Sequence, residues 1–326
     1  MEHMDANPPW IANGARLALG EADVAAFLTS WYRETIERVQ RLGEGEWSTA
    51  FAFRRAAADL VVRFGAHRDD FDKDCLAARF GSADLPIPAV LEVGTALGGF
   101  YAVSARAFGA YLDDLDGPGM RAHVPSLLAA LDAARTADGS GTRGYGAWNA
   151  DEVAPHRTWR EALLDVGADR PTDGTHGWRA KLAASAIGTG PFDQAFGHLR
   201  ALIDACPEDR RLVHGDLLNY NVLVDGGRVS AVLDWGCSMY GDFLYDVAWF
   251  AYWAPWYPAW DGIDFVADAT AHYAAIGLAV PQIEERIRAY QVDIGLAGLA
   301  YRAYKDDWAE VKRRGRRTLA IATRPA

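Results

Sequence analysis

Three polar residues between positions 212 and 234 have the types and the spacing of a phosphoryl-transfer site. Asp216 follows His214 and a glycine, Asn221 comes five residues after Asp216, and Asp234 lies in the segment Val-Leu-Asp-Trp. A carboxylate and a carboxamide supply the hard oxygen ligands that Mg²⁺ takes in phosphate-binding sites. A further Asp can accept the proton of a hydroxyl that attacks the phosphate. The pattern therefore predicts Asp216 as a base, with Asn221 and Asp234 as metal ligands.

The chain around these residues is predicted to fold as a β-hairpin, which decides how close they come. Residues 225–227, Asp-Gly-Gly, are typical of a tight turn between two apolar strands. With the two glycines at the turn centre, Asn221 lies opposite position 232, and Asp234 is two residues, roughly 7 Å, beyond it. The alternative is that these polar residues only cap loops, but the combination of motif, hairpin and second Asp is more specific than that.

A second stretch suited to phosphate precedes the first predicted strand. Residues 42–51 contain Gly43, Gly45 and the hydroxyl residue Ser48. Glycines allow the backbone to approach phosphate oxygens closely, as in the loops that cover a nucleotide. A Gly-x-Gly before a strand is also typical of an ordinary turn. The segment therefore favours a phosphate-covering loop only in combination with the downstream motif.

The elements that must position these residues change character along the chain. Apolar spacing predicts an amphipathic helix over 21–42 and a second helix over 70–80. Short strands are predicted at 50–53, 60–64, 89–93 and 100–105. Downstream the pattern is mainly helical, with clear helical spacing at 124–131 and 192–206. The strand pattern ends near 107–109, which predicts a domain boundary there.

The sequence resembles the aminoglycoside phosphotransferase family, whose members share the protein-kinase-like fold. Within that family it is most similar to the hygromycin B phosphotransferases. The resemblance rests on residues 42–53, 85–94 and 212–256. It implies an α+β, protein-kinase-like two-lobe fold, with a small antiparallel-sheet N-terminal lobe and a larger, mainly helical C-terminal lobe. The lobes would be residues 1–107, with a leading helix, and residues 108–326.

The resemblance also implies roles for individual residues. Asp216 would be the catalytic base, and Asn221 and Asp234 the magnesium ligands. ATP, or GTP in its place, would be the phosphoryl donor, and Mg²⁺ the cofactor. Residues near 105–107 would form the hinge that offers backbone hydrogen bonds to the adenine of the nucleotide. The residues expected to bind the nucleotide are Gly43, Gly45, Ser48, Arg63, Asp74, Ala105 and Ala107.

One position departs from the kinase pattern. The strand that carries a phosphate-binding Lys in kinases has Arg63 in that place, and the following helix offers Asp74 where kinases have Glu. Arg can bind phosphate oxygens through two N–H groups and can pair with a carboxylate, so the role can be retained. Two alternatives stay open. Lys73 could contact the phosphates instead, or Arg63 could be a solvated strand residue.

Two residues close to the motif have structural interpretations. His214, two residues before the predicted base, is expected to orient the loop through its ring nitrogens. Asp246 resembles the family residue that braces the catalytic loop from the following helix. Neither is expected to take part in the chemistry directly.

Composition bounds the partners and the compartment. The 326 residues carry a formal net charge of −11, and half of them are apolar, so a well-buried core and about two domains are expected. The acidic excess argues against a nucleic-acid surface and is compatible with a cationic ligand. Three widely spaced cysteines favour a reducing compartment over a disulfide framework. Since no signal or membrane-spanning pattern is predicted, we expect a cytoplasmic monomer.

The acceptor is predicted from the aromatic and acidic region after the hairpin. Trp253, Trp256 and Asp261 are the candidates for contacting it, although most aromatic residues here are expected in the core. Carboxylates around an aromatic floor complement the ammonium groups and hydroxyls of an aminoglycoside, with hygromycin B as the leading candidate. Alternatives are a kinase for another hydroxylated metabolite or antibiotic, such as an amino alcohol, a sugar derivative or a macrolide, and a non-catalytic ligand-binding pseudokinase.

Overall fold

The computed structural model describes residues 19–324 of the chain, which begin with a helix and an antiparallel sheet. In chain order these first elements are α1 (Glu21–Tyr32), β1 (Glu37–Glu44), β2 (Ser48–Arg55), β3 (Ala58–Gly65), α2 (Arg68–Ala77), β4 (Val90–Ala96) and β5 (Gly99–Ala105). The five strands form one sheet in the order β1-β2-β3-β5-β4. The four strands and the second helix predicted in this part are confirmed as β2 to β5 and α2, with small shifts at their ends.

The first predicted helix is only partly right. α1 ends at Tyr32, because Arg33 takes a left-handed conformation with φ of 55°. Residues 37–44 form strand β1 instead of continuing the helix to residue 42. β1 lies at the edge of the sheet and buries none of its residues fully. An exposed, charged edge strand has no apolar alternation, so the sequence pattern missed it.

The two faces of the sheet have different surroundings. Val62 and Tyr101 point into a small apolar core that α1 completes with Val24 and Leu28. Successive side chains of a strand point to opposite faces, and Arg63, next to Val62, lines the cleft on the other side. The alternation along β3 therefore places an apolar residue in the core and a cation in the cleft.

The rest of the chain is mainly helical. Its elements are β6 (Ala110–Tyr111), α3 (Gly117–Thr136), β7 (Gly146–Ala147), α4 (Trp159–Leu164), α5 (Trp178–Ala184), α6 (Gly190–Leu202), β8 (Arg211–Val213), β9 (Val222–Asp225), β10 (Arg228–Val232), β11 (Met239–Gly241), α7 (Leu244–Trp253), α8 (Phe265–Ala275), α9 (Ile283–Tyr304) and α10 (Trp308–Ala322). Helix α9 is central and packs against α5, α6, α7 and α10. Over residues 19–324, none of the helices combines the length and the apolar character needed to cross a membrane.

Two small sheets hold the polar motif within the helical part. One has the order β10-β9-β6, and the other has the order β7-β11-β8. β8 leads into the loop that contains Asp216, and β9 and β10 form the predicted hairpin. The base and the two proposed metal ligands therefore lie on connections between short strands.

The predicted register of the hairpin is wrong by one residue. A bulge at Ser230 adds a residue to β10, and the Leu233 N–H donates to the carbonyl oxygen of Asn221 at 2.7 Å. Asn221 therefore lies opposite position 233, not 232. Asp234 is one residue beyond that pair, which brings the two proposed metal ligands closer together than the regular hairpin predicted.

Candidate active site

Asp216 lies in the loop between β8 and β9 and is held by two asparagines. Asn219 Nδ2 donates to Asp216 Oδ1 at 2.8 Å, and Asn221 Nδ2 donates to the Asp216 backbone carbonyl at 2.8 Å. Burial, aided by the charge of Asp234 and opposed by the hydrogen bond from Asn219, raises the pKa of Asp216 to about 7. A carboxylate whose pKa lies near neutrality is suited to accept a proton at physiological pH.

His214 and Asp246 support the loop from within the core. His214 Nε2–H donates to the carbonyl of Leu233 at 2.8 Å, and its Nδ1 accepts from the Asp216 N–H at 3.2 Å. Burial lowers the pKa of His214 to about 4, so the ring is neutral. The Asp246 carboxylate accepts the N–H groups of His214 and Gly215, each at 2.8 Å. Both residues have the positioning roles that the sequence predicts for them.

Asn221 and Asp234 are neighbours across the two strands of the hairpin. The Nδ2 of Asn221 is bonded to Asp216, which leaves Asn221 Oδ1 without a protein partner among the described residues. Asp234 has a left-handed backbone with φ of 59°, and its side chain is 44% exposed. Asn221 itself is buried, at 8% exposure. One carboxylate and one carboxamide oxygen match the small set of protein ligands that Mg²⁺ takes beside phosphate and water.

Arg63 lies among three carboxylates on the opposite side of the cleft. Its Nη2 is 2.9 Å from Asp74 Oδ2 and 3.9 Å from Asp234 Oδ1. Burial and the charge of Asp234 raise the pKa of the nearby Asp70. One guanidinium that faces three carboxyl groups leaves an excess of negative charge, which suits a bound cation. The buried Nε of Arg63 has no partner within residues 19–324, so it is a donor that a phosphate oxygen could satisfy.

Lys73, the alternative phosphate contact, points elsewhere. Its Nζ lies 2.5 Å from the carbonyl oxygen of Gly236 and 3.2 Å from that of Ser238. The ammonium group also lies 5.1 Å from the ring centroid of Trp148. Lys73 is 2% exposed. These contacts fix the chain just after Asp234, and they leave Arg63 as the cation that lines the cleft.

The cleft between the large sheet and the hairpin contains a cavity of about 160 Å³. Its walls include Gly43, Ala105 and Ala107, together with Arg63 and Asp234. It is therefore a pocket that joins an apolar section near the hinge to a charged section near the metal ligands. This arrangement suits a nucleotide, whose base is apolar on both faces and whose phosphates are anionic.

The hinge offers different atoms at its two predicted positions. The N–H of Ala105 donates to the carbonyl oxygen of Ala89 at 3.0 Å, so it is occupied within the protein. The N–H of Ala107 has no backbone partner in the described part of the chain. Of the two predicted hinge positions, Ala107 is therefore the one whose N–H has no backbone partner within residues 19–324.

The glycine-rich loop closes one side of the cleft. The Gly45 N–H donates to the Ser48 carbonyl at 2.9 Å. At the tip, Glu46 Oε1 lies 2.6 Å from Lys305 Nζ and accepts a hydrogen bond from the Tyr301 hydroxyl. The loop thus reaches across to the end of α9.

The three predicted acceptor residues lie in different surroundings. The Arg314 guanidinium is 4.6 Å from the ring centroid of Trp253, and that of Arg313 is 4.0 Å from the ring centroid of Trp256. Asp261 is exposed between two helical segments. The two indole rings therefore pack against cations of α10, whereas Asp261 faces solvent.

Two residues of the site were absent from the sequence predictions. Asn219 bonds the proposed base directly, and Asp113 accepts backbone N–H groups from the same loop. Asn219 lies within the polar motif, so its position there was the available signal. Asp113 is more than a hundred residues away in sequence and has no local pattern that marks it.

The comparison with known families covers the whole cleft. Residues 38–299 match the model of the phosphotransferase enzyme family APH. The chain belongs to the APH family of phosphotransferases. Hygromycin-B 4-O-kinase of Escherichia coli is 32% identical to it over 267 residues, covering 81% of this chain and 74% of that protein.

Solved structures of APH proteins share the fold. Aminoglycoside phosphotransferase APH(4)-Ia superposes with a TM-score of 0.80 and 30% identity, covering 93% of this chain and 98% of that chain. A thermostable mutant of APH(4)-Ia in a ternary complex with AMP-PNP and hygromycin B gives 0.79 and 31%, covering 92% and 97%. The GDP complex of aminoglycoside 2'-phosphotransferase-IIIa gives 0.63 at 14% identity, covering 93% and 99%, and shows the fold alone. The predicted protein-kinase-like α+β fold is confirmed.

Proposed function

We propose that this chain transfers the terminal phosphoryl group of ATP or GTP to a hydroxyl of hygromycin B, and so confers resistance to that antibiotic. The observation that carries the proposal is the arrangement of Asp216 beside Asn221 and Asp234 in a chain 32% identical to hygromycin-B 4-O-kinase. The complex of APH(4)-Ia with AMP-PNP and hygromycin B supports the same donor and acceptor classes. An intact base argues against a non-catalytic pseudokinase.

Asp216 would act on the acceptor hydroxyl. Its carboxylate accepts the hydroxyl proton as the acceptor oxygen forms a bond to phosphorus and the bond to the leaving nucleoside diphosphate breaks. Asn219 Nδ2 holds Asp216 Oδ1 at 2.8 Å, whereas Asp216 Oδ2 has a longer contact, 3.4 Å from Asn221 Nδ2, and can face the acceptor. Positioning of this kind supplies much of the rate enhancement in phosphoryl transfer.

The negative charge of the phosphates would be neutralised from both sides of the cleft. Arg63, paired with Asp74, would donate to phosphate oxygens from the sheet, with its unpartnered Nε as one donor. Asn221 Oδ1 and the Asp234 carboxylate would hold Mg²⁺, whose chemistry there is the neutralisation of phosphate charge. Gly43, Gly45 and Ser48 would bring the backbone of the loop close to the phosphates.

The nucleobase of the donor and the acceptor would bind at opposite ends of the site. The nucleobase would accept a hydrogen bond from the N–H of Ala107 at the hinge, and Ala105 would lie in the wall of its pocket. Exposed carboxylates, Asp261 among them, would complement the ammonium groups of the acceptor. Trp253 and Trp256 would contribute as the packed wall behind that surface.

The same proposal includes the setting in which the chain works. Residues 1–107 and 108–326 would act as the nucleotide lobe and the acceptor lobe. The chain would function as a cytoplasmic monomer. Three free cysteines within the described residues support a reducing compartment.

An acceptor screen tests the proposal. Purified protein is incubated with ³²P-labelled ATP and Mg²⁺ against hygromycin B, other aminoglycosides, amino alcohols, sugars and a macrolide. We expect label on hygromycin B, with a mass increase of one phosphoryl group, and none in reactions without enzyme. If label appears only on another acceptor, that acceptor and not hygromycin B is the substrate. Nucleotide binding without transfer to any acceptor would favour the pseudokinase.

A further inference from the structure

The catalytic loop, residues 214–221, contains two consecutive residues whose backbone has a left-handed conformation. Asn219 has φ of 65° and Tyr220 has φ of 68°. Left-handed backbone is unusual for a bulky residue such as Tyr and persists only where surrounding contacts fix it. Asn tolerates this conformation better than most residues, but Tyr does not. Something outside the loop must therefore hold Tyr220, because its own side chain does not favour that backbone.

The contact that holds it is the carboxylate of Asp113. Asp113 Oδ1 accepts the Asn219 N–H at 2.9 Å, and Asp113 Oδ2 accepts the Tyr220 N–H at 3.1 Å. The Tyr257 hydroxyl donates to Asp113 Oδ1 at 2.8 Å. Asp113 belongs to the short 3-10 turn that follows β6. One carboxylate thus satisfies both strained N–H groups and is itself fixed by a tyrosine.

A continuous set of bonds connects Asp113 with the proposed base. The backbone of Asn219 is fixed by Asp113, and the side chain of Asn219 bonds Asp216 Oδ1 at 2.8 Å. If the backbone of Asn219 rotates, its Nδ2 leaves the carboxylate. We propose that Asp113 is a positioning residue for phosphoryl transfer, which acts through Asn219 to fix the Asp216 carboxylate, given the phosphotransferase function proposed above.

Tyr257 extends this connection to the helical part. Its ring stacks on Trp260 with centroids 4.2 Å apart and an interplanar angle of 8°. Trp260 Nε1 in turn donates to the Leu115 carbonyl at 2.9 Å. The turn that contains Asp113 is therefore fixed on both sides, so Asp113 can hold the loop instead of moving with it.

The test compares Asp113→Asn with Asp114→Asn. The carboxamide that the first change introduces has a single oxygen, so it cannot accept both loop N–H groups as the two carboxylate oxygens do. Asp114 is the neighbouring acidic residue of the same turn; it is exposed, and its side chain makes no hydrogen bond or ion pair in the described structure. We expect Asp113→Asn to lower kcat by about 10- to 100-fold with the KM for nucleotide changed by less than about 2-fold, since small misplacement of a reacting group has effects of this size. Asp114→Asn should leave kcat within about 2-fold.

A double-mutant cycle asks whether Asp113 acts through Asn219. In the Asn219→Ala background the bond to Asp216 is already absent, so adding Asp113→Asn should lower kcat by less than about 3-fold more. If the fold-decreases in kcat of the two single variants multiply in the double variant, Asp113 acts by another route and the proposal is overturned. Asp113→Glu, which keeps both acceptor oxygens, should retain more activity than Asp113→Asn and serves if the latter does not fold.

Hydrogen–deuterium exchange provides a measurement that needs no acceptor. Peptides spanning 216–222 should exchange faster in Asp113→Asn than in the wild type or Asp114→Asn, while peptides of the central helix α9 should not change. Unchanged exchange in 216–222, or faster exchange throughout the protein with loss of nucleotide binding, contradicts the proposal. If the wild type phosphorylates no acceptor, the proposed function fails, and the exchange result still decides whether Asp113 holds the loop.

Discussion

The two loops that close on the cleft are held in opposite ways. The catalytic loop, residues 214–221, is bonded at its start by Asp246 and near its end by Asp113, and both carboxylates come from other elements. The glycine-rich loop, residues 43–48, has one short backbone bond of its own, and Glu46 at its tip contacts the end of α9. The first loop is fixed by carboxylates of two other elements, Asp246 in the core and the half-buried Asp113, and the second is fixed at a partly exposed tip.

This difference matches what each loop must do. A proton acceptor has to stay within a fraction of an ångström of its working position, which requires support from packed side chains. A loop that covers a nucleotide has to open for exchange, and such segments come from the less stable parts of a fold. Under the roles proposed above, the contrast means that the proposed base is preorganised and that the proposed phosphate-covering loop adjusts to its ligand.

The largest expected effect is on the base itself. Asp216→Asn keeps the size of the side chain but cannot accept the hydroxyl proton, so we expect kcat to fall by about 10³-fold, within the range for loss of a general base. Nucleotide binding, measured by calorimetry, and the melting temperature should stay close to wild type. Transfer at more than a tenth of the wild-type rate would remove Asp216 from the role of base.

The support of the catalytic loop is tested by Asp246→Ala. The change leaves the N–H groups of His214 and Gly215 buried without an acceptor, so the free energy of unfolding should fall by about 3 kcal/mol. Urea denaturation measures it. The matched change on the other loop, Glu46→Ala, should lower it by less than about 1 kcal/mol, because Glu46 is partly exposed. Equal effects would contradict the contrast between the loops.

Asp293 is a buried carboxylate that, among the described residues, is hydrogen-bonded by a side-chain hydroxyl and not by backbone N–H groups. Its partner is the Tyr245 hydroxyl at 2.9 Å, and burial raises the pKa of Asp293 to about 7. In the unfolded chain an Asp has a pKa of about 3.9. Between these values the folded state binds more protons than the unfolded state, so the contribution of Asp293 to stability is lost as pH rises from about 4 to about 7.

Asp293→Asn should therefore stabilise the protein at neutral and alkaline pH. We expect the free energy of unfolding of the variant, relative to wild type, to increase by about 1.4 kcal/mol per pH unit between pH 4 and pH 7 and to be constant above pH 7. Denaturation curves at several pH values measure it. A difference independent of pH would show that Asp293 does not titrate in this window.

The smallest effect is expected at the tip of the glycine-rich loop. Glu46→Gln weakens the contact with Lys305, and a partly exposed ion pair contributes about 0.5 kcal/mol. We expect an increase of about 2-fold in the KM for nucleotide, with kcat and the melting temperature unchanged. Lys305→Met should behave in the same way. A large loss of kcat in either variant would show that the tip is part of the fixed machinery.

Local sequence patterns predicted the central part of the site. The hairpin, its Gly-Gly turn and the motif around Asp216 depend on residues close together in the chain, so strand and turn preferences were enough. Strand β1 was missed because an edge strand exposes charged side chains on both faces. The bulge at Ser230 was missed because its hydroxyl bonds the carbonyl oxygen of Phe108, from a distant segment.

The sequence by itself determined the chemical groups of this protein, the order of the strands β2 to β5 with helix α2, and the family to which it belongs. Only the tertiary structure decided that Lys73 binds backbone carbonyls, that Arg63 meets Asp74, and that Asp113 holds the loop of the base. Each of these contacts joins residues on different elements. Their partners depend on how those elements pack, and packing is a property of the whole fold that spacing along the chain does not contain.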